Sequence, residues 1–377
     1  MIYLDNAATT YPKSDEVYER MDYVNRNLCF NAGRGSYKKA KEANELIDDT
    51  KRRLLQLVNN PNGSVAFTPS LTIALNEILQ GVELNEGANV YVSPYEHNAV
   101  ARVCNLFAEK ANIIQLPINE ETFEVDLEKT KYAFAKQRPS LVCCTHVSNV
   151  TGYILPVEEV FKVAKEYGAV TVLDTAQSLG LIPVDQKAIQ ADFIAFAGHK
   201  TLYGPLGIGG IIIAASAPVL KVVIAGGTGS NSLNVNMPGT IPERYESSSS
   251  NIVAIAGLNA ALKCLNQIEN YKKEESLTRL LRDKLLEIPG IKLYCPPSDS
   301  HIGVISINVE GFTSEDIGMI LDQDYDIAVR TGNHCAPYIH KYLNDEKMLG
   351  TVRISVGKYN TETDVCSLVE ALEEILM

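Results

Sequence analysis

None of the eight cysteines in this 377-residue chain belongs to a C-x-x-C pair. Apart from the adjacent Cys143 and Cys144 they are scattered, which argues against a zinc or iron–sulfur site and for a reducing compartment. Positive charge is scarce. Lys and Arg number 34 against 46 Asp and Glu, a net charge of −12, so the basic footprint of a nucleic-acid binder is missing. No apolar run approaches the roughly 20 residues that span a bilayer. The most apolar stretch, near Gly210 to Leu220, is broken by Ser216 and Pro218. The first ten residues have neither the basic region nor the apolar core of a secretory signal. There are no internal repeats and no linker; the run Ser247–Ser250 is too short for one. A cytoplasmic protein without metal, nucleic acid or membrane as partner is expected.

What is present reads as a packed globular protein, with 46% hydrophobic and 21% charged residues. From about residue 65 to 225, short runs rich in Val and Ile alternate with amphipathic stretches. Strands are predicted at Val65–Phe67, Asn89–Val92, Ile113–Leu116, Leu141–Val147, Val170–Leu173 and Phe193–Phe196, with helices such as Ser70–Gln80, His97–Lys110 and Glu158–Tyr167 between them. That pattern predicts an α/β domain with a mostly parallel sheet covered on both faces. After about residue 265 the texture changes. A helix over Glu274–Ile288, an alternating strand (Ile305, Ile307, Val309), a capping-box helix at Thr313, strands Ile327–Arg330 and Val352–Val356, and a last helix opened by Thr361-x-x-Asp364 predict a smaller α+β domain. The expected division is an N-terminal segment (1–15), a large domain (16–260) and a small one (261–377).

The densest chemistry lies between Val170 and Gly210. Asp174 ends one predicted strand, with Gln177 three residues on, and His199-Lys200 follows another, ahead of the Gly-rich run Gly204–Gly210. Ligands sit at the carboxyl ends of strands in such sheets, and a lysine desolvated there becomes an amine nucleophile. Pyridoxal phosphate needs a tethering lysine, an acid beside the ring nitrogen and donors for its phosphate. Lys200, Asp174 and His199 suit those tasks. The turn Thr68-Pro-Ser-Leu71-Thr72, which opens a helix, suits the phosphate through its free N–H groups.

The sequence resembles the cysteine desulfurase and selenocysteine lyase family of class V pyridoxal-phosphate enzymes nearly end to end. The carriers are Tyr3-Leu-Asp-Asn-Ala-Ala-Thr9, Glu96-His97-Asn98, His146-Val-Ser-Asn149, Leu173-Asp174-x-Ala-Gln177, Gly198-His-Lys-x-Leu-Tyr-Gly-Pro205 and Arg330-Thr-Gly-Asn-His-Cys-Ala-Pro337. The resemblance implies the aminotransferase type I fold, pyridoxal 5'-phosphate and a homodimer. It implies Lys200 as the Schiff-base lysine, Asp174 at the ring nitrogen and Gln177 at the ring hydroxyl. His97 would stack on the ring, Asn149 would lie near the ring hydroxyl and substrate carboxylate, and Leu71, Thr72 and His199 would lie at the phosphate. Arg353 would clamp the substrate carboxylate through its planar fork, with Arg330 beside it. Two departures stand out: Ala197 replaces a frequent serine, removing a phosphate donor. Ser248-Ser249-Ser250-Asn251 replaces a Gly-Thr turn, with Ser249 keeping a hydroxyl that in the family reaches the neighbouring subunit's phosphate.

Cys335 narrows the reaction. It lies in a short loop beside His334 and near Arg330, where positive charge would favour the thiolate. Cys104, Cys143, Cys144, Cys264 and Cys366 fall in apolar stretches and read as core residues. The implied activity converts L-cysteine to L-alanine, leaving a persulfide on Cys335 for an acceptor protein. The short loop resembles the type II, SufS-like group. L-selenocysteine as substrate, or another class V transferase or lyase in which Cys335 is not a nucleophile, are the rival readings. A nucleotide-binding module fits poorly, because Gly226-Gly-Thr-Gly229 lacks both the Walker lysine and the G-x-G-x-x-G pattern.

Overall fold

The structure, a computed structural model, describes residues 1–32, 35–229, 233–296 and 299–377. Seven strands form the large sheet in the order Ser64–Thr68, Gly209–Ile213, Phe193–Ala197, Val170–Asp174, Pro139–Thr145, Ala88–Val92 and Ala111–Gln115. All neighbours pair in parallel except Gly209–Ile213, which runs antiparallel to both of its partners. Alternate residues serve opposite faces. Tyr91, Val142, Leu173, Ile194 and Ile212 enter one core, while Val90, Leu141, Val172, Phe193 and Ile211 enter another. Burial on both sides explains why these strands read as continuous apolar runs.

A second, antiparallel sheet holds Arg330–Gly332, Thr351–Ser355, Val304–Val309 and Ile291–Tyr294 in that order. Helices Gln267–Leu286, Ser314–Tyr325 and Glu362–Leu376 contribute Leu281, Ile317 and Leu368 to its core. Both expected capping boxes form, at Thr313 with Asp316 and at Thr361 with Asp364. The N-terminal residues join this half: Ile2–Tyr3 pairs in parallel with Ile327–Ala328, and Asp5 bridges Ser355.

Three boundaries differ from expectation. The predicted strand Ile327–Arg330 splits in two, because Ile327–Ala328 takes the N-terminal strand as partner while Arg330–Gly332 turns onto Thr351–Arg353. The helix expected over 97–110 stops at Asn105, where Leu106 is exposed and has no core to face. The helix expected from Glu274 starts at Gln267, because the Asn266 side chain accepts the Glu269 N–H and caps it. Two cysteines also depart from the core reading: Cys264, just past a helix end, is exposed, and Cys366 is half-buried.

Candidate active site

Strands Pro139–Thr145, Val170–Asp174 and Phe193–Ala197 run side by side in parallel, so their carboxyl ends open onto one cavity. Leu71, Thr72, His97, Asn149, Asp174, Gln177, His199, Lys200, Arg330 and Arg353 all line it. Residues more than 280 positions apart in sequence therefore meet here. Cys335 and Ser249 do not line it.

The cavity separates charges by burial. Asp174 is 2% exposed and its Oδ1 accepts the Ala176 N–H at 2.8 Å. Burial pushes its carboxyl above the usual range, against the pull of that bond and of Lys200. Burial also brings the Lys200 amine down to about 8; Asp174 resists and the Arg353 and Arg330 guanidinium groups add to the fall. His97 and His199 are each brought down to about 4, first by burial and then by nearby cations, so both imidazoles are neutral at pH 7. His97 is also the N-cap of helix Asn98–Asn105, where Nδ1 accepts the Ala99 N–H at 3.0 Å. That bond puts the ring proton on Nε2. A capping histidine and a cavity wall are here one residue.

The start of helix Leu71–Gly81 forms another wall, with Ser70 accepting the Ile73 N–H. Its first N–H groups and dipole suit an anion. Strand Gly209–Ile213 passes so close that a Cβ at Gly209 would lie 2.7 Å from the Leu71 nitrogen. Glycine there was not singled out from the sequence, although the doubled Gly209-Gly210 was a visible signal. Ala197 does line the cavity, in place of a hydroxyl donor.

Arg353 is 1% exposed. Its Nη1 donates to the Asn149 carbonyl at 3.1 Å and its Nη2 to Asp5 Oδ1 at 2.7 Å, while Nε has no partner. Asp5 escaped the sequence reading, although it stands inside a quoted motif. Gln177 Nε2 donates to the Ala7 carbonyl at 2.9 Å, which leaves its second amide hydrogen for the cavity. Glu96, also unforeseen, accepts the Thr145 N–H at 2.7 Å, and burial pushes its carboxyl up to about 8.

Cys335 lines a different cavity, at the surface. Its Sγ lies 3.5 Å from Nη2 of Arg330, a residue of the Lys200 cavity. One guanidinium thus stands between the thiol and the buried site. The expected help from a protonated His334 is not there: burial, then Arg353, hold its imidazole well below the usual range. Its Nε2 instead donates to Thr351 Oγ1 at 2.9 Å. Ser249 faces two other cavities, with Thr68, Gly207 and Glu246 in one of them.

Pyridoxal phosphate fits these residues. A buried carboxyl raised by desolvation calls for a cationic partner, an amine of lowered basicity lines the same cavity, and a helix start offers free N–H groups suited to a phosphate. Among the described residues no cluster of His, Cys, Asp and Glu is built to hold a metal, and no helix is long and apolar enough to cross a membrane.

The Aminotransferase class-V profile matches residues 2–368. The chain belongs to this family. Class-V members depend on pyridoxal phosphate, in keeping with the donor set around Lys200. The chain is similar to a probable cysteine desulfurase of Pyrococcus abyssi, at 34% identity over 100% of this chain and 94% of that one. It is also similar to a cysteine desulfurase of Escherichia coli O127:H6, at 31% identity over 100% and 93%. Among solved structures, the apo cysteine desulfurase of Thermococcus onnurineus NA1 superposes with a TM-score of 0.92, at 30% identity over 99% of this chain and 94% of that one.

Proposed function

We propose that this class-V protein is a cysteine desulfurase, which moves sulfur from L-cysteine onto Cys335, releases L-alanine and passes the sulfur to an acceptor protein. The observation that carries the reading is the 3.5 Å contact between Cys335 Sγ and Arg330, a wall residue of the Lys200 cavity. The cysteine desulfurase names of full-length relatives support the same reading.

Lys200 would tether the pyridoxal phosphate, with Asp174 at its ring nitrogen, Gln177 at its hydroxyl, His97 against its face and Leu71, Thr72 and His199 at its phosphate. When bound, the cofactor supplies an electron sink for the carbon beside the amino group. The chain's residues do the rest. Arg353 and Asn149 orient the substrate carboxylate. Lys200, with its basicity lowered to about 8, is partly neutral at physiological pH and takes the Cα proton, help typically worth about 10²–10⁴-fold. The Cys335 thiolate attacks the substrate sulfur. A sulfur–sulfur bond forms as the substrate carbon–sulfur bond breaks, and the electron pair stays with the carbon fragment, which is protonated to alanine.

We assign residues 16–260 to a cofactor-binding domain and 261–377 to a smaller one. We also infer a cytoplasmic homodimer, in which Ser249 of one copy serves the phosphate of the other. The short loop carrying Cys335 makes the acceptor approach closely. Equal transfer rates to any small thiol, with no gain from a protein partner, would refute that point. The central test is alanine release from cysteine, with mass spectrometry of Cys335 for one added sulfur. Sulfur-free Cys335, with full turnover in Cys335→Ser, would overturn the assignment.

A further inference from the structure

The segment Asn333–Cys335 is gripped through its backbone. The Asn333 carbonyl accepts from His340 Nε2 at 2.9 Å, the His334 carbonyl from Asn149 Nδ2 at 2.8 Å, and the Cys335 carbonyl from the Asn98 N–H at 2.6 Å. Two of these grips come from parts already placed in the site. The third, His340, belongs to no motif and opens the short helix His340–Leu343. Both His334 (φ 46°) and Cys335 (φ 57°) are in the left-handed region, which is strained for a side-chain-bearing residue and persists only where surroundings hold it.

His340 is itself held. Its Nδ1 lies 2.5 Å from Asp345 Oδ2, and Asp345 is 1% exposed, with Oδ1 unpartnered. Both ring nitrogens lie within hydrogen-bond distance of oxygens, so the ring is held from two sides. Asp345 fixes the ring, and the ring fixes the Asn333 carbonyl two residues before the thiol.

We infer that His340, backed by Asp345, is a positioning residue that holds the strained Asn333–Cys335 turn in the form that sets the thiol against Arg330. The inference rests on the proposed role of Cys335 as sulfur acceptor, and its main readout does not depend on that role.

Hydrogen exchange of the peptide spanning 333–337, in the substrate-free holoenzyme, is the test. Removing a buried bond to the Asn333 carbonyl in His340→Ala speeds exchange there about ten-fold or more. In turnover the same variant loses about ten-fold in kcat, with KM for cysteine within about two-fold, because the carboxylate clamp is untouched. His340→Gln, whose amide hydrogen still reaches the Asn333 carbonyl, recovers most of both. Unchanged exchange in His340→Ala, or no recovery in His340→Gln, overturns the inference. Should His340→Ala fail to fold, Asp345→Asn decides it: faster exchange at 333–337 supports the inference and wild-type protection overturns it. Failure of the desulfurase reading looks different, as a Cys335 that never gains sulfur in the unaltered enzyme.

Discussion

Around Lys200 the working groups are side chains carried to one place by parallel strand ends, whereas around Cys335 the holding groups are main-chain carbonyls. In the cavity, burial sets the chemistry: it raises Asp174, lowers Lys200 and keeps two imidazoles neutral. In the loop, three successive carbonyls are each claimed by a donor from another part of the chain. The first arrangement tunes proton affinity and the second fixes direction. A reaction that needs both a proton taken at one atom and a thiol aimed at another uses the two in series.

Substitutions on each side should separate them. Lys200→Ala is expected to lower turnover by about 10³-fold or more and to change the visible absorption of the bound cofactor. Cys335→Ser should abolish alanine formation from cysteine yet leave that absorption intact. If both variants altered the spectrum, the two-part division would fail. Next in size, Arg353→Lys keeps a charge but loses the fork, so KM for cysteine should rise about ten-fold or more with a smaller change in kcat. Gly209→Ala presses a methyl group onto the Leu71 nitrogen. It should cost about 1–3 kcal/mol, read as weaker cofactor retention on dialysis.

Glu274 offers a pH test outside both regions. Burial raises its carboxyl to about 8, with the Tyr203 hydroxyl donating to it at 3.2 Å. From about pH 5 to 8 the folded protein keeps a proton that the unfolded chain has released. Its contribution to stability is therefore complete at low pH and is lost as pH rises toward 8. Wild-type melting temperature should fall relative to Glu274→Gln across that interval and level off above it; parallel curves would contradict this. The smallest effect is at Thr361, whose replacement by alanine should cost about 1 kcal/mol of stability through the lost cap and change neither turnover nor spectrum.

Much of the cavity was legible because strand-end residues announce themselves. Asp174, His199 and Lys200 follow apolar runs whose length and period already specify buried parallel strands, so their place at one sheet edge follows. Asp5 was not legible, since nothing local says that it meets Arg353 across the whole chain. Nor was His340, whose role is to bind a carbonyl, and any backbone offers one of those. The neutrality of His334 escaped for a related reason, because burial by distant residues decides it. The split near Val329 was hidden because its two pieces find different partners, one of them at the N-terminus.

The pairing of Ile2–Tyr3 with Ile327–Ala328 has a consequence for biosynthesis. Ala7 and Ala8 from one end, and Arg330 and Arg353 from the other, enclose the same chamber. On the ribosome the seven-stranded sheet can form early, but its chamber lacks two walls until translation has passed Arg353. Completion of the chamber is thus a late event, and stalled or shortened nascent chains would emerge as folded sheets that carry Lys200 and Asp174 without the two guanidinium groups.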